Sequence, residues 1–260
     1  MQRRPGFPAR LPGSGTAPAK TPPKAPVLAQ PARKVAAASP VGVGLDSAAV
    51  RARMVQKLAA GGITSAAVLQ AMGAVERHRF VDSALVNQAY EDTSLPIGLG
   101  QTISKPNVVA RMCELLLGAE GARAQGLGRI LEVGTGCGYQ AAVLSRLARE
   151  VYSVERLRGL HEKARDNLRP FRLANLHLLF GDGMLGYAKG APYAAIIAAA
   201  GGDAVPQAWC DQLAVGGRLV APMALSGGQQ MLLVIDKTPH GLKQSVLEPV
   251  HFVPLKSGIA

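Results

Sequence analysis

The spacing of hydrophobic residues changes in character near the middle of the chain. Over residues 46–85 hydrophobic positions recur every three or four residues, which predicts helices, and the pair Gly61-Gly62 divides them into two. A polar loop with several glycines follows over residues 90–104, and Pro106 suits the first turn of a third helix. Loops of this length inside compact domains usually carry function, so we expect residues 90–104 to contribute to a site.

Beyond a glycine-rich linker over residues 121–128, short runs of β-branched and other apolar residues alternate with helical stretches. The predicted strands are 129–133, 151–155, 176–180, 193–198 and 217–222, and the predicted helices between them are 140–148, 157–168 and 207–213. Such alternation indicates βαβ units and a mostly parallel sheet. Strands at 230–236 and 245–253, joined by a turn at 238–241, predict a hairpin at the sheet edge. The predicted fold class is a doubly wound, Rossmann-like α/β sheet with an N-terminal helical subregion and a C-terminal edge hairpin.

Composition divides the chain into two parts. The formal net charge is +12, but residues 1–45 hold seven basic residues, nine of the 18 prolines and no acidic residue before Asp46. Such a segment buries too little apolar surface to offset the entropy of ordering its backbone. We therefore predict a disordered basic arm over 1–45 and a single domain over 46–260.

Three features bear on the compartment. The longest wholly apolar stretch, around residues 193–200, is far shorter than the ~18 residues that span a bilayer. Prolines interrupt every candidate secretory signal. The three cysteines show no CxxC spacing, which predicts neither a disulfide framework nor a metal site. We expect a cytoplasmic protein without a membrane partner.

The strongest local pattern is an apolar strand that leads into three alternating glycines and then a helix. The glycines are Gly134, Gly136 and Gly138, with Thr135 between the first two and the carboxylate of Glu132 just before them. Glycines allow a sharp turn and close approach of a ligand to backbone N–H groups at the helix start. The third glycine stands one position earlier than in a dinucleotide-binding G-x-G-x-x-G motif, which disfavours a nicotinamide dehydrogenase. Glu132 suits a ligand that carries its own positive charge.

Two further acidic residues follow at the ends of the next two strands. Glu155, about 20 residues beyond the loop, is placed to accept both hydroxyls of a ribose. Asp182, followed by Gly183, could accept from an adenine amino group. Each feature has a plainer interpretation alone: a structural glycine turn, a solvated acid at a helix start, and a turn-forming aspartate. Their order and spacing together favour a pocket for S-adenosylmethionine.

Over roughly residues 50–255 the sequence resembles the protein-L-isoaspartate O-methyltransferases. The matching segments are Leu95-Pro96-Ile97-Gly98, Gly100-Gln101-Thr102-Ile103-Ser104, 132–140, 181–183, 212–213, 216–220 and 252–255. The Gln-Thr-Ile-Ser-x-Pro segment is the specific one, and the resemblance implies that Ser104 lies beside the methyl-transfer centre. A purely structural alternative is that Ser104 caps the helix beginning near Pro106, and one hydroxyl could do both.

The resemblance implies methyl transfer from S-adenosylmethionine to the free carboxylate of L-isoaspartyl residues in damaged proteins and peptides, which initiates their repair. Because a carboxylate is already ionised at neutral pH, the enzyme needs alignment more than a general base. We therefore assign Ser104 to holding the substrate carboxylate. The implied partners are damaged proteins or peptides, bound by a monomer, and we expect no nucleic-acid partner and no metal.

Two positions depart from the family pattern. Ala194 stands where an Asp usually opens the fourth strand, and Ala199 replaces a usual Thr, so we expect the mouth of the substrate site to differ. Two other functions stay open at this point. The basic charge would suit a methyltransferase of RNA or of a small molecule, and the two alanines would suit a non-catalytic cofactor-binding scaffold.

Overall fold

The computed structural model describes residues 48–224 and 228–260. The predicted arm over 1–45 lies outside these residues, so its disorder and the domain boundary after it stay predictions.

The described chain alternates helices and strands as the hydrophobic pattern predicts. The α-helices are α1 (Ala48–Ala60), α2 (Ala66–Ala74), α3 (Pro106–Leu117), α4 (Glu120–Gln125), α5 (Tyr139–Leu144), α6 (Arg158–Leu168) and α7 (Gln207–Gln212). The strands are β1 (Leu95–Gly98), β2 (Gln101–Ile103), β3 (Leu127–Val133), β4 (Ala148–Glu155), β5 (Leu176–Phe180), β6 (Tyr193–Ala198), β7 (Leu213–Ala224), β8 (Gln230–Thr238) and β9 (Gly241–Val250).

Seven strands form one sheet in the order β5-β4-β3-β6-β7-β8-β9. The first five pair in parallel, whereas β8 and β9 run antiparallel at one edge. The chain moves outward from β3 to β5 and then returns to the other side of β3 with β6. The carboxyl ends of β3 and β6 therefore form a topological switch point, where doubly wound sheets bind ligands. The predicted fold class, including the edge hairpin, is confirmed.

The central strands β3 and β6 are buried on both faces of the sheet, which explains their nearly continuous apolar sequences. Successive residues of β3 alternate between two hydrophobic clusters: Ile130 faces the cluster that contains α1, α2 and α3, and Leu131 faces the one that contains Trp209 of α7. The N-terminal helical subregion joins the first cluster through Met72 of α2 and Phe80, whose ring packs edge-on against Tyr139 with centroids 5.6 Å apart. The subregion thus packs against the start of α5.

Several predicted boundaries were wrong, among them the starts of β4 and β7, which begin at Ala148 and Leu213 and not at 151 and 217. Helix α5 ends at Leu144 and not at 148, because Asn175 donates its side-chain amide to the carbonyls of Ser145 (2.8 Å) and Ala148 (3.1 Å) and so supports an early turn into β4. The predicted linker over 121–128 is mostly helix α4 and the first residues of β3. Strand β9 begins at Gly241, directly after a tight turn in which Thr238 pairs with Gly241.

The predicted loop over 90–104 contains a small antiparallel pair, β1 and β2, with Leu95 opposite Ile103. Leu99 at its turn has a φ of +52° and is 63% exposed. Among the described residues no helix is long and apolar enough to cross a bilayer.

Candidate functional site

A cavity of about 220 Å³ opens at the topological switch point. Its walls come from the β1–β2 segment, the glycine loop, the ends of β4 and β6, and the chain after β9. The lining residues are Ile97, Leu99, Gln101–Ser104, Val109, Val133–Cys137, Tyr139, Gln140, Val154–Leu157, Leu160, Gly183, Ala199, Ala200 and Val253–Lys256. Six of the predicted site residues line it: Ser104, Gly134, Thr135, Gly136, Glu155 and Gly183.

The glycine loop depends on backbone conformations that only glycine adopts easily. Gly134, Gly136 and Gly138 have φ values of +91°, +57° and +93°. A Cβ added at Gly136 would lie 3.2 Å from Ile97 Cδ1, and one at Gly138 would lie 2.7 Å from Leu168 Cδ1. Gly134 and Gly136 therefore bring bare backbone to the cavity wall, whereas Gly138 makes room for α6.

Glu155 ends β4 on the cavity wall. Its Oε2 accepts from the backbone N–H of Gly136 (2.9 Å) and its Oε1 accepts from the backbone N–H of Leu157 (2.9 Å). A carboxylate oxygen can accept two hydrogen bonds, and each Glu155 oxygen accepts one from the backbone. Both oxygens can therefore still accept from ligand hydroxyls. The same contacts fix the orientation of the carboxylate and of the glycine loop.

Glu132 lies behind the wall, fully buried, and does not itself line the cavity. The Ser153 hydroxyl bridges Glu132 Oε2 (2.5 Å) and Thr135 Oγ1 (2.6 Å), which connects the buried acid to a residue of the wall. Burial raises the pKa of Glu132 to about 8, against the opposing effects of Ser153 and Gln140. The structure thus favours the neutral carboxyl in the absence of a nearby cation.

This shift predicts how stability depends on pH. Because the folded pKa of Glu132 is about 8 and its ordinary value is 4.5, the folded state binds the extra proton between these values. The free energy of unfolding of the ligand-free protein should therefore fall as pH rises from about 4.5 to about 8. For the Glu132→Gln variant, whose side chain cannot ionise, the free energy of unfolding should fall less steeply over this pH range. Urea unfolding curves at a series of pH values measure it.

The exposed Glu91→Gln is the matched control, because it removes a carboxylate outside the core. It should keep the wild-type dependence on pH. Parallel curves for wild type and Glu132→Gln would contradict the buried neutral carboxyl.

Asp182 follows β5 and does not line the cavity, although Gly183 does. Its Oδ1 accepts from the Met184 N–H (2.9 Å) and its Oδ2 accepts from the Gly258 N–H (2.6 Å). The segment that carries Gly258 also accepts a hydrogen bond at the Gly258 carbonyl from Arg156 Nε (2.9 Å). Residues after β9 thus lie across the ends of β4 and β5.

Ser104 lines the same cavity as the glycine loop. Helix α3 takes Lys105 as its N-cap residue without a side-chain cap, and the Asn107 N–H donates instead to Asp92 Oδ1 (2.8 Å). The alternative role of Ser104 as helix cap is therefore wrong. Its hydroxyl forms no hydrogen bond with the rest of the described chain, which leaves it available to a ligand.

Arg77 supports this side of the cavity from behind and was not predicted. The fully buried guanidinium donates to the carbonyls of Ala89 (2.7 Å), Ser104 (2.7 Å) and Thr93 (3.4 Å). Its Cζ lies 4.7 Å from the centroid of the Tyr139 ring, and Tyr139 is part of the cavity wall. Nothing in the sequence separates Arg77 from Arg79 two positions later, because only burial distinguishes them.

The two departures from the family pattern lie in different places. Ala199 follows β6 and lines the cavity, where its Cβ would be 3.6 Å from a Cβ at Gly134. Ala194 lies near the opposite end of β6, beside Gly128 at the start of β3. The expectation that Ala194 alters the mouth of the site is therefore wrong, and only Ala199 can affect it.

Comparisons with known proteins agree with this geometry. A model of the family described as protein-L-isoaspartate(D-aspartate) O-methyltransferase matches residues 49–260. The protein-L-isoaspartate O-methyltransferase of Methylibium petroleiphilum is 62% identical over 223 residues, which is 85% of this chain and 82% of that protein. Its namesake from Ralstonia nicotianae is 55% identical over 239 residues, or 87% and 74% of the two chains.

Solved structures of proteins with the same name have the same fold. A protein-L-isoaspartate O-methyltransferase superposes with a TM-score of 0.72 and 29% identity over 80% of this chain and 67% of that one. A Plasmodium falciparum structure in complex with S-adenosyl-L-homocysteine superposes with a TM-score of 0.68 and 23% identity, over 79% and 98% of the two chains, and supports the fold. From the family match and these identities, the chain belongs to the protein-L-isoaspartate(D-aspartate) O-methyltransferase family.

Proposed function

We propose that this protein transfers the methyl group of S-adenosylmethionine to the free carboxylate of L-isoaspartyl residues in damaged proteins and peptides. The observation that carries the proposal is a single cavity lined both by the glycine loop and by Ser104, whose hydroxyl has no partner among the described residues. The loop suits a nucleoside with a charged tail, and the hydroxyl suits an incoming carboxylate.

The residues present fit this cofactor. Glu155 offers carboxylate oxygens to ribose hydroxyls, and Gly134 and Gly136 give the wall bare backbone that a ligand can approach closely. The N–H groups of this loop serve to hold its shape, because those of Gly134 and Thr135 donate to the Val154 carbonyl and that of Gly136 donates to Glu155. Gly138 shapes the loop, and Glu132 supplies negative charge behind it. Gly183 borders the same cavity, and Asp182 keeps lone pairs for an adenine amino group beside its contact with Gly258. When bound, S-adenosylmethionine would supply a methyl group on a positively charged sulfur.

The chain's own contribution is alignment. The acceptor carboxylate is ionised at neutral pH, so no side chain has to remove a proton from it. The Ser104 hydroxyl donates to one carboxylate oxygen and directs the other toward the methyl group. Ile97, Leu160 and Val253 give the cavity apolar walls, which exclude water from the reacting atoms.

The proposal is tested with a matched peptide pair that differs only in containing L-isoaspartate or ordinary Asp. With radiolabelled S-adenosylmethionine we expect base-labile methyl ester on the isoaspartyl peptide alone. Label on neither peptide, from a protein that binds S-adenosylhomocysteine in calorimetry, would favour the non-catalytic scaffold. Incorporation of label into RNA in a parallel reaction would favour a methyltransferase that acts on RNA.

Two further properties belong to the same proposal. Cys113, Cys137 and Cys210 are all buried free thiols, which suits a reducing compartment such as the cytoplasm. The monomeric state stays a prediction.

A further inference from the structure

A buried positive charge lies behind the part of the cavity that carries Ser104. The Arg77 side chain is 0% exposed, and its guanidinium forms no ion pair within residues 48–224 and 228–260. Arginine stays protonated in proteins, so the charge is present. Burial lowers the pKa of Arg77, which reflects the cost of removing the charge from water. The fold therefore buries a cation and places no carboxylate within ion-pair distance of it.

The groups that contact the guanidinium are backbone carbonyls and an aromatic side chain. Nε donates to the carbonyl of Ala89 (2.7 Å), and Nη2 donates to the carbonyls of Ser104 (2.7 Å) and Thr93 (3.4 Å). The Tyr139 ring lies 4.7 Å from Cζ, and burial raises the pKa of its hydroxyl to about 12, so it carries no negative charge at neutral pH. These contacts orient the guanidinium and leave its net charge uncompensated.

Hydrogen bonding to the three carbonyls does not by itself require a charge. Neutral amide N–H groups also donate to carbonyls, and burying them costs much less than burying a cation. A role for the charge itself therefore has to be sought in a negative group that the ligand-free site does not contain.

The acceptor carboxylate of the substrate is such a group. The bond from Arg77 to the Ser104 carbonyl places the charge one residue's backbone behind the hydroxyl that we assign to this carboxylate. The interaction of two charges is stronger where water is excluded, and the guanidinium is fully buried. A carboxylate at Ser104 would therefore supply the missing negative charge.

We propose that Arg77 is a positioning residue for the substrate, whose buried charge attracts the acceptor carboxylate to the Ser104 hydroxyl. The inference rests on the proposed function, since it takes the isoaspartyl carboxylate as the methyl acceptor. Arg77 does not line the cavity, so it acts through its electric field and through the Ser104 backbone that it holds.

The test compares two peptides that bind without reacting when S-adenosylhomocysteine is present. One contains L-isoaspartate, and in the other a carboxamide replaces the free carboxylate. In titration calorimetry wild type should bind the acid more tightly than the amide. Arg77→Gln, which removes the charge and keeps a donor, should bind the acid about tenfold more weakly and the amide as wild type does.

Two variants control for the charge and its place. Arg77→Lys keeps the charge and should keep the preference for the acid. Arg79→Gln removes an exposed charge two residues along the chain and should bind both peptides as wild type does. Equal losses for the two peptides in Arg77→Gln would restrict Arg77 to a structural role and overturn the inference.

Ser104→Ala gives a measurement that needs no Arg77 variant to fold, because the Ser104 carbonyl and its bond to Arg77 stay in place. This variant should bind the acid more weakly than wild type and still prefer it to the amide. Loss of the whole preference would mean that the hydroxyl alone recognises the carboxylate, and would overturn the role of Arg77.

The proposed function is tested separately by methyl transfer. Failure of the wild-type protein to methylate the isoaspartyl peptide would overturn the proposed function, and this inference with it. Methyl transfer by wild type together with an unchanged preference for the acid in Arg77→Gln would overturn the inference alone.

Discussion

Gly136→Val is expected to abolish S-adenosylhomocysteine binding while leaving the protein folded. The added side chain would project from the cavity wall, where a Cβ would lie 3.2 Å from Ile97 Cδ1, so the branched methyl groups would fill ligand space. It would also force valine into a φ of +57° and disturb the Gly136 N–H that holds Glu155. We expect an affinity loss of at least about 100-fold, or roughly 3 kcal/mol, in titration calorimetry.

The matched control is Gly62→Val. Gly62 has a φ of +104°, and a Cβ there meets no atom within 4 Å, so the variant adds backbone strain away from the cavity. Both variants should lose about 1–3 kcal/mol of unfolding free energy in urea titrations, and only Gly136→Val should lose the ligand. Retained affinity in folded Gly136→Val would show that the loop does not border the cofactor.

Ser104→Ala is expected to lower kcat/KM for an isoaspartyl peptide about 10- to 100-fold, the range for losing a hydrogen bond to a charged group. Its affinity for S-adenosylhomocysteine should stay at the wild-type value, because we assign the hydroxyl to the substrate carboxylate and not to the cofactor. Initial rates over a series of peptide concentrations, together with calorimetry, measure the two quantities.

Ser94→Ala serves as the comparison, since Ser94 is exposed and lies before β1 outside the cavity wall. It should keep both values. Equal losses of turnover and cofactor affinity in Ser104→Ala would place the serine at the cofactor and not at the substrate.

The glycine loop and its strand could be predicted because their signals are local. The apolar residues of β3, the positive-φ requirement at Gly134, Gly136 and Gly138, and the acid at Glu155 all lie within one βαβ unit. The parallel sheet then brings the ends of successive strands to one edge without further information. For the same reason β6 was predicted with its observed bounds, Tyr193–Ala198.

Features that depend on distant partners could not be predicted in this way. The end of α5 is set by Asn175, about 30 residues away, and the first turn of α3 is capped by Asp92 and not by the nearby Ser104. The error over Ala194 was of a different kind, because a residue that opens a parallel strand lies at the end away from the ligand edge. Gln140 resembles an ordinary polar helix residue until its burial is known.

Arg77 has a consequence for how substrates enter. Moving residues 89–104 away from the helical subregion would break three hydrogen bonds of the buried Arg77 guanidinium at once. A movement of this whole segment is therefore costly. The exposed turn at Leu99 is held by more exposed contacts: its side chain reaches toward Gly159 of α6, and Lys163 Nζ of the same helix donates to the Ile97 carbonyl (2.9 Å) beside the turn. A substrate as bulky as a protein loop is therefore admitted at least cost when only the turn at Leu99 moves. The carbonyl groups that Arg77 holds then stay in place.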